Sequence, residues 1–501
     1  MQSTSTSRQA TPALIQSELQ RFFGYSNLRS PQAEIVECLL QQHDALIVLP
    51  TGAGKSVCFQ LPALMQPGLM LVVSPLVALM ENQVQELRQR NLPAALLHSE
   101  LPKNQYRRTL WAVEQQQLRL LYLSPETLLS ANVWRVLCQP NLTIQAIVLD
   151  EAHCLTQWGE TFRPDYCRLG AVRRSLLQHK PNHPAIAVAA FTATADTQTQ
   201  QTIQHSLQLE QPRVFRLNPH RANLDLTVQT VWTPHQRRQR LLKFLQAWSE
   251  QVGLVYVRTR RASEELATWL TQQGYETAAY HAGLSPNERR VIEQGWLNGR
   301  LQFVVCTNAF GMGINQASCR WIVHFQAPVL LSEYVQEVGR AGRDGNPAAA
   351  LMLVSERTGW LDPDDRQRWR YFEAQSQKQV RAAKMLIPKL PRQGDVMTVS
   401  RQFPEGAIAL SLLHSQGCLE WEDPFRYIIT GRSPSKLVHS NIQAASAMKQ
   451  YLNTRRCRWQ FLLSAFGFEA EANQFRCGHC DNCGPSSLRS RTALNRPMNP
   501  D

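Results

Sequence analysis

Two glycines, a lysine and a hydroxyl follow an apolar run in Leu49-Pro-Thr-Gly-Ala-Gly-Lys-Ser56. Such a turn lets backbone N–H groups approach phosphates at Gly52 and Gly54, sets the Lys55 ammonium against β/γ-phosphate charge, and offers the Ser56 hydroxyl to magnesium. Thr51 and Ala53 complete the cradle. The strict spacing of these loops would put glycine at position 49, where this chain has leucine, so the loop alone is a modest signal. Further along, the apolar stretch from Gln145 to Leu149 runs into Asp150-Glu-Ala-His153. Successive acids at the end of a strand suit a nucleotide hydrolase: Asp150 to hold magnesium, Glu151 to polarise the attacking water, and His153 to sense the γ-phosphate or relay to the nucleic-acid side. A solvated loop cap is the plain alternative, and the phosphate cradle on the earlier strand weighs against it.

Gln336-Glu-Val-Gly-Arg-Ala-Gly-Arg-Asp-Gly345 places Arg340 and Arg343 in a turn after a helical run. An ordinary surface turn would look the same. A motor that holds its nucleotide between lobes needs a cation from the far lobe to stabilise transition-state charge, and Arg343, with Arg340 and Gln336 beside it, suits that role. Near the end of the chain, Cys477-Gly-His-Cys480-Asp-Asn-Cys483 repeats a Cys-x2-Cys spacing that lets thiolates converge on one zinc ion. A fourth ligand is needed, with Cys457 and His479 both at hand, and four protein ligands would make the ion structural. A redox pair is the alternative, but no thioredoxin-like pattern surrounds it. The other cysteines, such as Cys58, Cys306 and Cys319, stand singly and read as buried reduced thiols.

These residues have to be positioned by something. Short β-rich runs at 45–49, 70–74, 118–123, 145–149 and 187–192 alternate with helical patterns, and a second series follows at 253–257, 302–306, 320–325 and 350–354. That alternation predicts an α/β protein with two parallel-sheet lobes, residues 19–225 and 226–356, joined near the polar stretch 230–240. Beyond Ser355 the pattern becomes helical. Residues 357–440 read as a helical segment in which a helix, a turn at Gly417 and two strands joined at Asp423-Pro424 suggest a winged helix; a plain helical connector is the other reading. Residues 441–485 form the zinc module. The arm 1–18 and the tail 486–501 are polar and expected to be loose or disordered.

The chain has 501 residues with 43% hydrophobic and 18% charged, an ordinary globular balance, and a net charge of +14 that fits a polyanionic partner without proving one. The stretch beyond Leu351 carries more than its share of that charge. The longest apolar run, Leu69 to Met80, is broken by Ser74 and Pro75 and is too short to span a membrane. Without a secretory signal, a cytoplasmic protein is expected, nucleoid-associated if bacterial.

Further motifs sharpen the picture. Phe23-Gly-Tyr25 leads to Arg29 and Gln32; Val72-Val-Ser-Pro-Leu76 and Tyr122-Leu-Ser-Pro-Glu126 each follow a strand; Phe191-Thr-Ala-Thr-Ala-Asp196 follows another. Gln157-Trp-Gly-Glu-Thr-Phe-Arg-Pro-Asp-Tyr166 comes just after the acid pair, and Thr259-Arg260, Tyr280-His-Ala-Gly283 and Ala309-Phe-Gly-Met-Gly-Ile-Asn315 lie in the second lobe. Over roughly residues 20–355 and the cysteine cluster, this set resembles the RecQ helicases of superfamily two. The resemblance implies two RecA-like lobes, with Tyr25 stacking on adenine, Gln32 reading its edge and Arg29 beside them. It implies strand-gripping by Ser74, Arg260 and His281, and coupling of hydrolysis to unwinding through Thr192 and Thr194. Trp158, Phe162, Arg163 and Tyr166 become an aromatic-rich loop that stacks on unpaired bases, although aromatics at that spacing otherwise suit a helix core stripe. Cys457 becomes the fourth zinc ligand.

The resemblance further implies an ATP- and magnesium-dependent DNA helicase moving 3' to 5' on single-stranded, tailed or forked DNA in recombination and repair. A monomer is expected, with single-strand-binding protein as a partner. A translocase or annealing factor without unwinding, and a DNA-binding protein with an inactive motor, are the rival readings. Members of the family usually place the zinc module directly after the second lobe and a winged helix after it. Here a long segment precedes Cys457 and a short tail follows Cys483, so a short form is expected, with Met397–Gly431 upstream of the zinc.

Overall fold

The computed structural model describes residues 11–157, 163–183, 185–310, 316–430 and 440–484. The chain forms two compact units, one of Met1–Leu217 with Gln379–Val438 and one of Asn218–Lys378 with His439–Asp501.

In the first unit, β1 (Ala45–Val48), β2 (Leu69–Val73), β3 (Ala94–Leu97), β4 (Leu120–Leu123), β5 (Ile144–Leu149), β6 (Ala187–Thr192) and β7 (Arg213–Arg216) make a seven-stranded sheet in the order β3-β4-β2-β5-β6-β1-β7. Its pairs are parallel, so crossover helices cover both faces, which is why β1 to β6 are apolar at nearly every position. Register sets the site. Val48 of β1 lies beside Thr192 of β6, and Leu149 of β5 lies between Val73 of β2 and Ala190 of β6. The residues that follow these positions therefore emerge along one carboxyl edge, where open α/β sheets bind ligands.

The expected loose arm is overturned from residue 12 onward. Thr11 caps a helix, Pro12–Phe23, whose Ile15, Leu19 and Phe23 are buried at helical spacing in the core beneath β1. The first ten residues and the expected tail 486–501 lie outside the described residues.

The second unit contains β8 (Leu224–Val231), β9 (Gly253–Tyr256), β10 (Thr277–Tyr280), β11 (Phe303–Cys306), β12 (Trp321–His324) and β13 (Ala348–Ser355), in the order β10-β11-β9-β12-β13-β8. The expected joint at 230–240 is corrected: the units divide between Leu217 and Asn218, and β8 pairs in parallel with β13 along its whole length. As an edge strand, β8 buries Leu224, Leu226 and Val231, leaves Asp225, Thr227 and Gln229 half-buried and exposes Thr230, a mixture that resembles a linker in sequence.

Residues 357–440 are not a separate body. The helix Asp364–Leu386 starts in the second unit and ends in the first, where β14 (Gln393–Asp395), the helices Val396–Gln402 and Gly406–Ser415, β15 (Leu419–Trp421) and β16 (Arg426–Ile429) form a small antiparallel module, sheet order β14-β16-β15. Gly417 takes φ 68°, and β15 turns into β16 through Asp423-Pro424. The helices Ser440–Asn453, Arg458–Ala465 and Glu469–Ala472, with the cysteines, belong to the second unit. Among the described residues, no helix is long and apolar enough to cross a membrane.

Candidate nucleotide and nucleic-acid site

The loop after β1 turns through left-handed backbone at Gly52 (φ 86°) and Gly54 (φ 72°), and Lys55 opens the helix Lys55–Met65 with Ser56 next. Lys55 thus stands where the helix dipole already favours phosphate. A Cβ at 54 would lie 2.5 Å from Gln32 Nε2, so a larger residue there would push the Gln32 amide off the loop. Gln32 is buried, donates from Nε2 to Ala53 O at 2.8 Å and accepts at Oε1 from the Arg29 backbone N–H at 2.8 Å. The group expected to read a base edge is thereby tied to the phosphate loop in this structure. Tyr25 is half exposed and stacks on Phe23 with the rings 9° apart.

At the end of β5, the Asp150 backbone N–H donates to Val73 O and that of Ala152 to Phe191 O, both at 2.8 Å, which fixes the acid pair to β2 and β6. Glu151 is held at φ 53°, a conformation that non-glycine residues adopt at some strain. Burial, and then repulsion from Glu151, push Asp150 up to about 6 against the pull of Lys55. His153 Nδ1 lies 3.3 Å from Glu151 Oε2 and 3.1 Å from Thr192 Oγ1. Burial opposes charge on that ring, but Cys154 and Glu151 outweigh it and raise the imidazole to about 10. Thr192 Oγ1 also accepts from the Thr194 backbone N–H at 3.2 Å. One histidine therefore joins the acid pair to the threonine motif. Among the described residues, the buried hydroxyls of Ser74 and Thr194 have no hydrogen-bond partner, a state that a ligand at this edge would relieve.

Trp158 and Phe162 lie outside the described residues. Tyr166 is corrected: it is fully buried in the core under β5, where it cannot stack on a base. It sits in a 3-10 helix, Pro164–Ala171, whose tight turn directs it inward, as the core-stripe alternative required. Arg163 is half-buried, with Nη1 3.8 Å from Glu126 Oε1.

In the second unit, Gln336 lies half-buried on the helix Leu331–Val338, and Arg340 and Arg343 follow it. Burial, then the neighbouring Arg340 charge, lower Arg343 to about 10. Sequence reasoning missed the residue that steadies this helix. Glu337 accepts from Arg258 at 2.9 and 2.8 Å and lies 2.8 Å from His324 Nε2; Arg258 and His324 hold it down at about 2 despite its burial. Its place between Gln336 and the arginines was the available signal. Elsewhere, Arg260 is exposed at the start of the helix Arg260–Gln272, while buried His281 bonds Glu264 at 2.9 Å. A Cβ at Gly283 would lie 3.0 Å from Arg260 Nη1 and 3.1 Å from His281 Nδ1, so the two share one place.

The sulfurs of Cys457, Cys477, Cys480 and Cys483 lie within 4.8 Å of one another. Backbone N–H groups of Cys477 and Arg458 point at Cys457 Sγ and Cys480 Sγ, each at 3.4 Å, which favours thiolates. His479 is instead engaged by Asp225 Oδ1 at 2.9 Å, so the donor set is four thiolates, one of the sets that structural zinc takes. The cluster is also joined to β8: Asp481 N–H donates to Leu226 O, and Asp481 Oδ2 accepts from Val228 N–H at 3.1 Å.

Family models match along the chain in this order: DEAD/DEAH box helicase at residues 29–203, helicase conserved C-terminal domain at 236–345 and RecQ zinc-binding at 424–484. The sequence is 52% identical over 470 residues to an ATP-dependent DNA helicase RecQ of Synechocystis sp., covering 94% of this chain and 98% of that one. The chain belongs to the RecQ family. It is an ATP-dependent DNA helicase of RecQ type, with a DEAH box lobe that uses ATP and a four-cysteine zinc-binding module. Probable ATP-dependent DNA helicase RecS of Bacillus subtilis is 39% identical, over 68% of this chain and 66% of its own. Haemophilus influenzae RecQ is 37% identical, over 69% and 54%. Among solved structures, S. cerevisiae Dbp5 bound to RNA and ADP BeF3 has TM-score 0.56 at 16% identity, covering 70% of this RecQ chain and 90% of that one. Mycobacterium smegmatis helicase Lhr bound to ssDNA and AMP-PNP has TM-score 0.55 at 18% identity, over 86% and 62%. At these identities the likeness establishes the two-lobed fold alone.

Proposed function

We propose that this RecQ chain moves 3' to 5' along single-stranded DNA and unwinds duplex DNA in recombination and repair. The observation that carries the reading is the contact of His153 with both Glu151 and Thr192, at the edge where the phosphate loop also emerges. Tyr25 stacks on the base, the loop 51–56 cradles the phosphates and Lys55 offsets their charge. Ser56 and Asp150 would hold magnesium, which supplies charge neutralisation when bound. Glu151 draws a proton from the attacking water, while Arg340 and Arg343 of the second unit stabilise charge on the transferred phosphoryl group. His153 passes the state of Glu151 to Thr192 and Thr194. Ser74, Arg163, Arg260 and His281 hold the strand.

We further assign the protein to the cytoplasm, working as a monomer with single-strand-binding protein. Strand displacement on 3'-tailed and 5'-tailed duplexes, with ATP turnover followed in parallel, tests the reading. Displacement of the 3'-tailed substrate alone is expected. Turnover without displacement would make the protein a translocase, and preference for a 5' tail would reverse the polarity.

A further inference from the structure

The turn between β15 and β16 is the part of a winged module that would ordinarily project towards DNA. Here it faces inward. Pro424 is buried, and the ring of Phe425 meets Trp134 edge-on at 5.4 Å while packing on the lobe core. Arg168 Nη1 donates to Pro424 O at 3.1 Å, and Arg174 Nη2 donates to Trp421 O at 2.8 Å and Glu422 O at 2.6 Å. Ser411 Oγ donates to Pro164 O at 3.4 Å. Cys167 and Ala171, from the 3-10 helix, sit inside the apolar core that the module builds with Leu410, Leu413 and Tyr427. The turn also has the wrong charge for gripping phosphate, since residues 419–429 carry Glu420, Glu422 and Asp423 against Arg426 as their one cation.

What the module grips matters more than the fact that it is docked. The 3-10 helix Pro164–Ala171 packs against the short helix Cys154–Gln157, and Tyr166, Cys154 and Leu155 share one core. Cys154 is bonded to His153 at 3.8 Å, next to the acid pair. A continuous packed path therefore runs from the turn through the 3-10 helix to the catalytic edge. We infer that residues 393–429 are an internal brace: they position the 3-10 helix behind the acid pair so that bound DNA can raise ATP turnover, and they do not part the strands. Arg174 and Phe425 are the positioning residues. The inference rests on the helicase reading above, deepening it by assigning this segment to coupling.

The full-length double variant Arg174→Ala/Phe425→Ala tests it, with a single-stranded oligonucleotide for turnover and a 3'-tailed duplex for displacement. Basal turnover and KM for ATP should stay at wild-type values, while DNA-stimulated kcat falls about fivefold, the lower end of ordinary coupling between sites. Displacement should fall in the same ratio, and Arg174→Lys, which can still donate to both carbonyls, should recover most of the stimulation lost in Arg174→Ala. Displacement lost with DNA-stimulated turnover intact would make the turn the strand-parting element and overturn the brace. Unchanged kinetics in both assays would overturn it equally. Should thermal melting show the double variant unfolded, Arg174→Ala alone carries the measurement, because residue 174 is exposed. Failure of the wild type to displace any strand would sink the helicase reading while leaving the brace measurable through turnover.

Discussion

The two units hold opposite charges under similar stress. In the first, burial and mutual repulsion push Asp150 up towards neutrality; in the second, burial and a neighbouring cation push Arg343 down. On the proposed reading, a divalent cation would offset the first shift and a phosphoryl group the second. Neither unit alone contains both halves of that chemistry. In each unit burial sets the direction of the shift, so the acid and the base move oppositely for one physical reason.

Lys55→Ala should have the largest effect, because it removes the cation that pulls against the rise of Asp150. DNA-stimulated hydrolysis should fall below detection, while salt-sensitive DNA binding, read by fluorescence anisotropy, persists. Normal turnover would refute the site. Arg343→Ala removes the stressed charge from the other unit; kcat should drop by about a thousandfold with KM for ATP little changed. A rise in KM at constant kcat would reduce Arg343 to a ground-state contact. Cys480→Ser should release zinc, read by elemental analysis, and lower the melting temperature by about 10 °C through loss of metal-coupled folding. A wild type free of metal would overturn that assignment.

The smallest effect concerns pH. Because Asp150 is raised to about 6, its active, ionised form is lost as pH falls through that value, so turnover should decline there. Higher magnesium should move the decline to lower pH, as cation replaces proton on the same carboxylate. A limb indifferent to magnesium would assign it to another group.

Chemistry carried by neighbours in sequence was legible: the phosphate loop, the acid pair and the cysteine spacing need only local pattern, and the apolar strands follow from burial on both faces. What sequence could not convey depended on distant partners. Tyr166 looked available for stacking because nothing local reveals that its 3-10 helix turns it into the core it shares with Leu149 and Leu155. Gln32 was assigned to a base, yet its bonds are to Arg29 and Ala53. Leu224–Val231 passed for a linker because an edge strand keeps polar residues. The Arg168 to Pro424 bond joins residues that share no pattern at all.

The path of the chain through the units has its own consequence. It leaves the first after Leu217, returns at Gln379 and departs again after Val438. During synthesis the seven-stranded sheet emerges early, but the helices and strands that roof its 3-10 helix follow only after the whole second sheet has left the ribosome. Cys167 and Ala171 must wait uncovered through that interval. Nascent chains of this protein are thus exposed to chaperones for longer than a bead-like order of domains would allow, and no single cut yields either half complete.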